Sequence, residues 1–117
     1  MEALELSQAV MDPYSARILL GTCQGAVSAL DLSHRFGIPI AACYRRIREL
    51  ERIGLVYCER ALPSRNGKGL QLFRSRLKSV RVTLEEGRLR ATIVIDDGQS
   101  SHASEQVLSL TELTRNA

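Results

Sequence analysis

Three guanidinium groups stand close together at Arg45, Arg46 and Arg48, and no carboxylate interrupts them before Glu49. A guanidinium is a planar fork of donors that grips a phosphate, a carboxylate or the O6/N7 edge of guanine through two bonds at once. Arg65 and Lys68 flank Asn66-Gly67 inside Pro63 to Gly69, a cluster of turn formers. Cations on such a tip suit phosphate oxygens. Proton-transfer or nucleophilic chemistry finds no comparable grouping. The histidines, His34 and His102, lie far apart, no Gly-rich phosphate loop is present, and no carboxylate pair adjoins a base. The sequence is read as non-enzymatic, with no catalytic residue and no cofactor.

The cations are unevenly spread. The chain of 117 residues has a formal net charge of +3. Between Arg35 and Arg81, however, twelve Arg and Lys face only Glu49, Glu51 and Glu59, and both ends are acidic. A polycation between acidic flanks is the electrostatic footprint of a surface that meets a polyanion. The length suits one compact domain with a short appended element. An apolar share of 44% and clear periodicity argue against disorder. No apolar run approaches the roughly 20 residues that span a bilayer, and Met1 to Leu6 lacks the basic start of a secretory signal. A soluble, cytoplasmic protein is expected. Cys23, Cys43 and Cys58 are an odd number without close pairing, and each sits among apolar neighbours. They read as small core residues rather than disulfide partners.

The elements that must position the arginines are marked by their ends. Leu4 to Met11 predicts a short helix. Asp12-Pro13 opens another, an Asp cap with Pro at the first helical position. Its apolar Ala16, Ile18, Leu19, Leu20 and Cys23 suit a core, and Gly25 is expected to close it. Ser28, with Asp31 three residues on, starts a helix over Ser28 to Phe36 that Gly37 can end. Pro39 then starts a helix over 39–53. In it Ile40, Cys43, Ile47, Leu50 and Ile53 recur at helical spacing and predict one buried stripe. Ala41, Ala42, Tyr44, Arg45, Arg48 and Arg52 fall on the other side, with Arg46 at the boundary. Two helices about a tight glycine turn make a helix-turn-helix, whose second helix can lie in the DNA major groove.

Strand formers follow. Leu55 to Leu62 and Leu70 to Arg76, joined by the basic tip, predict a two-stranded wing. Val80, Val82 and Leu84, then Leu89, Ala91, Ile93 and Ile95, alternate with polar residues about Glu85-Glu86-Gly87. They predict a β-hairpin with a three-residue loop. A hairpin is marginal alone, so its apolar face is expected to meet a second copy. The fold class expected is α+β: a winged helix-turn-helix of three core helices and a two-stranded wing, then an extra β-hairpin and a C-terminal tail or short helix. The corresponding segments are 1–77, 78–95 for dimerisation, and 96–117 as polar linker and tail.

From Asp12 to about Arg76, roughly half the chain, the sequence resembles the arsenic-repressor-like (ArsR) winged-helix transcription regulators. The resemblance is carried by Asp12-Pro13 with Arg17-Ile18-Leu19, Ala29-Leu30-Asp31-Leu32-Ser33 and Gly37-Ile38-Pro39. It continues in Cys43-Tyr44-Arg45-Arg46-Ile47 and in Leu50 ahead of Gly54-Leu55-Val56. It implies a homodimer on a pseudo-palindromic operator, with the third core helix in the major groove and the wing alongside. Many such regulators sense metals, but their Cys-x-Cys pair aligns with Ser28 and Leu30 here. Their C-terminal site is reduced to His102 and Glu105, too few for a closed site. No metal is expected.

The expected partner is therefore double-stranded DNA, bound by a homodimer through Ala41, Ala42, Tyr44, Arg45, Arg46, Arg48, Arg65 and Lys68. No membrane role is expected, and the sequence names no small-molecule effector. The alternative is a winged-helix protein-interaction subunit of a larger assembly, which the apolar hairpin face and acidic ends would suit.

Overall fold

The computed structural model describes residues 1–63 and 69–115. In order it holds α1 (Ala3–Met11), α2 (Pro13–Gly21), β1 (Val27–Ser28), α3 (Ala29–Phe36), α4 (Ile40–Arg52), β2 (Val56–Leu62), β3 (Leu70–Ser75), β4 (Leu77–Glu85), β5 (Arg88–Asp96), β6 (Ser101–Ser109) and α5 (Leu110–Arg115). The elements divide into two compact units, one of residues 10–76 and one of residues 1–9 with 77–117. The first nine residues thus join the C-terminal strands, whereas the sequence reading groups them with the helices.

In the unit of residues 10–76, local chemistry sets the helix ends. Asp12 caps α2, its carboxylate accepting the Ser15 N–H at 3.0 Å, with Pro13 in the first helical position. α2 stops at Thr22 rather than at Gly25. The Thr22 hydroxyl donates to the Ile18 carbonyl at 2.7 Å and its N–H turns back to the same turn, satisfying carbonyls that a glycine cap would otherwise serve. Ser28 caps α3 by accepting the Asp31 N–H, and Gly37 ends it at φ 65°, where a side chain would be strained. Pro39 sits just outside α4, extended at ψ 135°, so it caps that helix instead of forming its first turn. Both ends of α4 are therefore one residue inside the expected 39–53.

Ile18, Leu32, Ile38, Cys43, Ile47, Leu50, Leu55 and Phe73 form the core here, none more than 3% exposed. Burial of a large apolar side chain contributes about 1.5–3 kcal/mol. Leu20, assigned to the core from sequence, is instead exposed, as is Ile40 at the start of α4. Cys23 is exposed and Cys58 half-buried, so only Cys43 is the core cysteine expected of all three. The strands form one antiparallel sheet in the order β1-β3-β2, with Val27 and Cys58 opposite Phe73 and an irregularity between Cys58 and Arg60. The tiny β1, unread in the sequence, thus ties the start of α3 to the β2–β3 hairpin.

The unit of residues 1–9 and 77–117 is built on a second antiparallel sheet in the order β4-β5-β6. β4 and β5 meet through a two-residue turn, with Glu85 opposite Arg88 and both Glu86 and Gly87 at positive φ, 50° and 75°. That replaces the expected three-residue loop. The stretch read as polar linker is in fact a turn followed by β6. Asp97 accepts the Gln99 and Ser100 N–H groups, both at 3.0 Å, and redirects the chain so that Ser101 to Ser109 pairs along β5. Gln106 of β6 accepts the Leu4 N–H at 2.9 Å and donates to Glu2, which ties the start of α1 to this sheet. Ala91 and Ile93 on β5 are fully buried. Val82, Leu84, Leu110 and Leu113 are exposed.

Candidate nucleic-acid interface

Successive residues of an α-helix turn by about 100°, and this rotation sorts α4 into faces. Cys43, Ile47 and Leu50 are buried together, while Ala41, Tyr44, Arg45 and Arg48 are exposed. Ala41, Arg45, Arg48 and Arg52 follow one another at spacings of four, three and four and so share one stripe on the solvent side. Ala42, assigned to that side from sequence, is a correction. It is buried at the margin of the core stripe.

The arginines differ in what holds them. Arg46 reaches back to the cap of α2, its Nε donating to Asp12 Oδ2 at 2.8 Å and its Nη2 to Oδ1 at 3.3 Å. That fork, with the Ser15 N–H behind it, holds the Asp12 carboxyl at about 2, well below its usual range, and pushes the Arg46 guanidinium up. Arg46 is thus tied to the head of α2 within this unit. Arg52 Nε lies 3.0 Å from Glu49 Oε2, an exposed pair one turn apart. Arg45 and Arg48 make no ion pair among the described residues and stand in solvent between these tethered neighbours.

Similar ties engage other cations of the central run. Arg35 pairs with Asp31 at 3.9 Å, Arg74 with Glu59 at 3.4 Å, and the Arg76 guanidinium lies 4.3 Å from the centre of the Tyr57 ring. Arg60 on β2 is exposed and without an ion pair among the described residues. The sequence reading passed it over, since one arginine in a strand offers no spacing signal beyond the basic run. Arg65 and Lys68 lie outside the described residues.

Cys43 donates to the Ala29 carbonyl at 3.4 Å, and burial pushes its thiol up, away from any reactive thiolate. Ser100, His102 and Asp97 come together in the β5–β6 turn, but both partners use the same imidazole nitrogen, His102 Nε2, at 3.2 and 3.0 Å. A nitrogen that donates to the carboxylate cannot also take a proton from the hydroxyl, so the trio is no proton relay. Among the described residues no three His, Cys, Asp or Glu side chains gather as a metal site, and no helix is long and apolar enough to cross a membrane.

No curated protein matches the chain. A family model described as a helix-turn-helix domain matches residues 10–59, which take in α2, α3, α4 and the start of β2. Residues 10–59 are thus similar to a helix-turn-helix domain, and α3 and α4 on either side of the Gly37 turn have that arrangement.

Proposed function

We propose that the chain is a sequence-specific, ArsR-like transcription regulator that binds double-stranded DNA as a homodimer, with α4 in the major groove. The single supporting observation is the exposed stripe of α4. Arg45 and Arg48 are free of ion pairs among the described residues, beside a small Ala41 and an exposed Tyr44, while Arg46 and Arg52 are tied down. A fork free of internal carboxylates can reach guanine O6 and N7 without first breaking an ion pair. The β2–β3 hairpin acts as the wing, with Arg65 and Lys68 on backbone or minor groove and Arg60 on the strand leading to them. A cytoplasmic location goes with that activity.

Binding-site selection on the purified full chain, followed by anisotropy titrations, tests this reading. The selected site should be pseudo-palindromic, with half-sites about 34 Å apart. Arg45→Ala and Arg48→Ala should each lose about 1–3 kcal/mol of discrimination at one base position. Lys68→Ala should weaken all sequences alike and flatten the log–log salt slope by about 0.9. Selection without enrichment, or a double Arg45→Ala/Arg48→Ala variant with unchanged preference, overturns the proposal.

A further inference from the structure

β4 is the outer strand of its sheet, and its last five residues, Arg81-Val82-Thr83-Leu84-Glu85, are all exposed. Read against itself in the antiparallel direction about Thr83, this segment is self-complementary. Arg81 falls opposite Glu85, Val82 opposite Leu84, and Thr83 opposite Thr83. Other registers that keep the faces matched are worse. Centring on Arg81 sets that charge against its own copy, and centring on Val82 takes Arg81 off Glu85 and sets it opposite Thr83. Like charges directly opposite are destabilising, whereas opposite charges, β-branched pairs and Thr–Thr pairs stabilise a ladder.

From this we infer that two copies of the chain dimerise through edge strand β4, pairing antiparallel about Thr83 to join their three-stranded sheets into one sheet of six. The inference rests on the homodimer in the function proposed above and names its interface.

The backbone is arranged for it. A two-residue turn is closed by a pair that exchanges hydrogen bonds, here Glu85 and Arg88. By alternation, Val82 and Leu84 direct their N–H and C=O groups away from β5. In the dimer Val82 of each copy exchanges bonds with Leu84 of the other. The Val82 and Leu84 side chains, exposed in the single chain, then cover one another across the axis. Arg81 and Glu85 have no ion pair among the described residues, so the interface supplies each with its first. An unpaired edge is otherwise a liability, and self-pairing removes it on both copies.

Sedimentation velocity on the full chain over a concentration series tests the interface. The wild type should show a monomer–dimer equilibrium. Arg81→Glu and Glu85→Arg each place two like-charge pairs in the dimer and should each raise its dissociation constant by about tenfold or more. The double variant Arg81→Glu/Glu85→Arg re-creates the complementarity and should recover the wild-type value. Thermal melts identify a single variant that merely unfolds. Independently, Thr83→Cys in a Cys23→Ser/Cys58→Ser background should give a disulfide-linked dimer on oxidation, because facing residues outside the hydrogen-bonded pairs lie close enough to bridge. A dimer indifferent to Arg81→Glu, or a double variant no better than the singles, overturns this interface while leaving a homodimer standing. A wild type monomeric at every concentration overturns both. Loss of the Arg45 effect on DNA with the dimer intact would fall on the DNA reading alone.

Discussion

Arg46 on α4 and Asp12 at the head of α2 are joined by a two-bond fork, the shorter bond 2.8 Å. The carboxylate does two jobs, because it also caps α2 through the Ser15 N–H. Asp12→Ala should therefore cost about 2 kcal/mol at neutral pH, about 1 for the cap and a similar amount for the ion pair. Asp12→Asn keeps a good cap and should lose only the second part. The folded carboxyl, at about 2, lies below its ordinary 3.8. Its contribution is thus complete above about pH 4 and is lost as pH falls from there towards 2. Urea titrations of wild type and Asp12→Asn along that range check it: the two should converge in acid.

The same residue type one to six positions away should behave differently. Arg45 and Arg48 are free in solvent, and the Arg52–Glu49 pair is exposed on both sides. Solvent screens exposed pairs, so they add little to stability. Arg45→Ala, Arg48→Ala and Arg52→Ala should thus melt close to wild type, whereas Arg46→Ala should melt clearly lower. Parallel melts of the four variants decide it, and equal losses across all four would contradict the faces assigned to α4.

Much of this arrangement was legible in the sequence, and the portions that were not share physical causes. Caps at Asp12, Ser28 and Gly37 are local backbone chemistry, so residue type alone marks them. The stripe of Cys43, Ile47 and Leu50 is periodic and reads equally well. Its margins do not: Ala42 and Ile40 sit where a helix face turns from core to solvent, and only the packed neighbours decide which is covered. Arg46 is a second case, since its partner Asp12 is remote in sequence and no local pattern couples them. β6 was missed because His102 to Gln106 has Ala103 as its sole apolar residue and so no apolar alternation, and its register comes from the Asp97 turn. The tie of Glu2 and Leu4 to Gln106 spans almost the whole chain and left no local trace.

Gly21, the last residue of α2, is required for space. A Cβ there would lie 2.6 Å from Phe36 Cε2 and 2.8 Å from Leu32 Cδ2. The Phe36 ring is partly in solvent and can swing aside, but Leu32 is fully buried and cannot. Gly21→Ala should therefore destabilise the protein by about 1–3 kcal/mol through overpacking, although alanine is the better helix former. Gly25→Ala meets nothing within 4 Å and serves as the control. Chemical denaturation of both variants should separate them, and a stabilised Gly21→Ala would show that α2 and α3 are not packed this closely.

Glu86 is the one non-glycine residue held at positive φ among the described residues, at 50° in the turn between β4 and β5. With Gly87 at 75° it forms a turn of the primed kind that suits the twist of a two-residue hairpin, where Asn-Gly is the favoured pair. Glutamate has no short polar group to ease the left-handed backbone, so the conformation carries strain of about 1 kcal/mol. Asn tolerates that region, and Glu86→Asn should stabilise the protein by about 0.5–1 kcal/mol. Gly87→Ala should do the reverse, since it places a side chain at positive φ beside Leu110. Melting temperatures of the two variants should move in opposite directions from wild type. A loss on Glu86→Asn would mean that the glutamate side chain makes a contribution larger than the strain it bears.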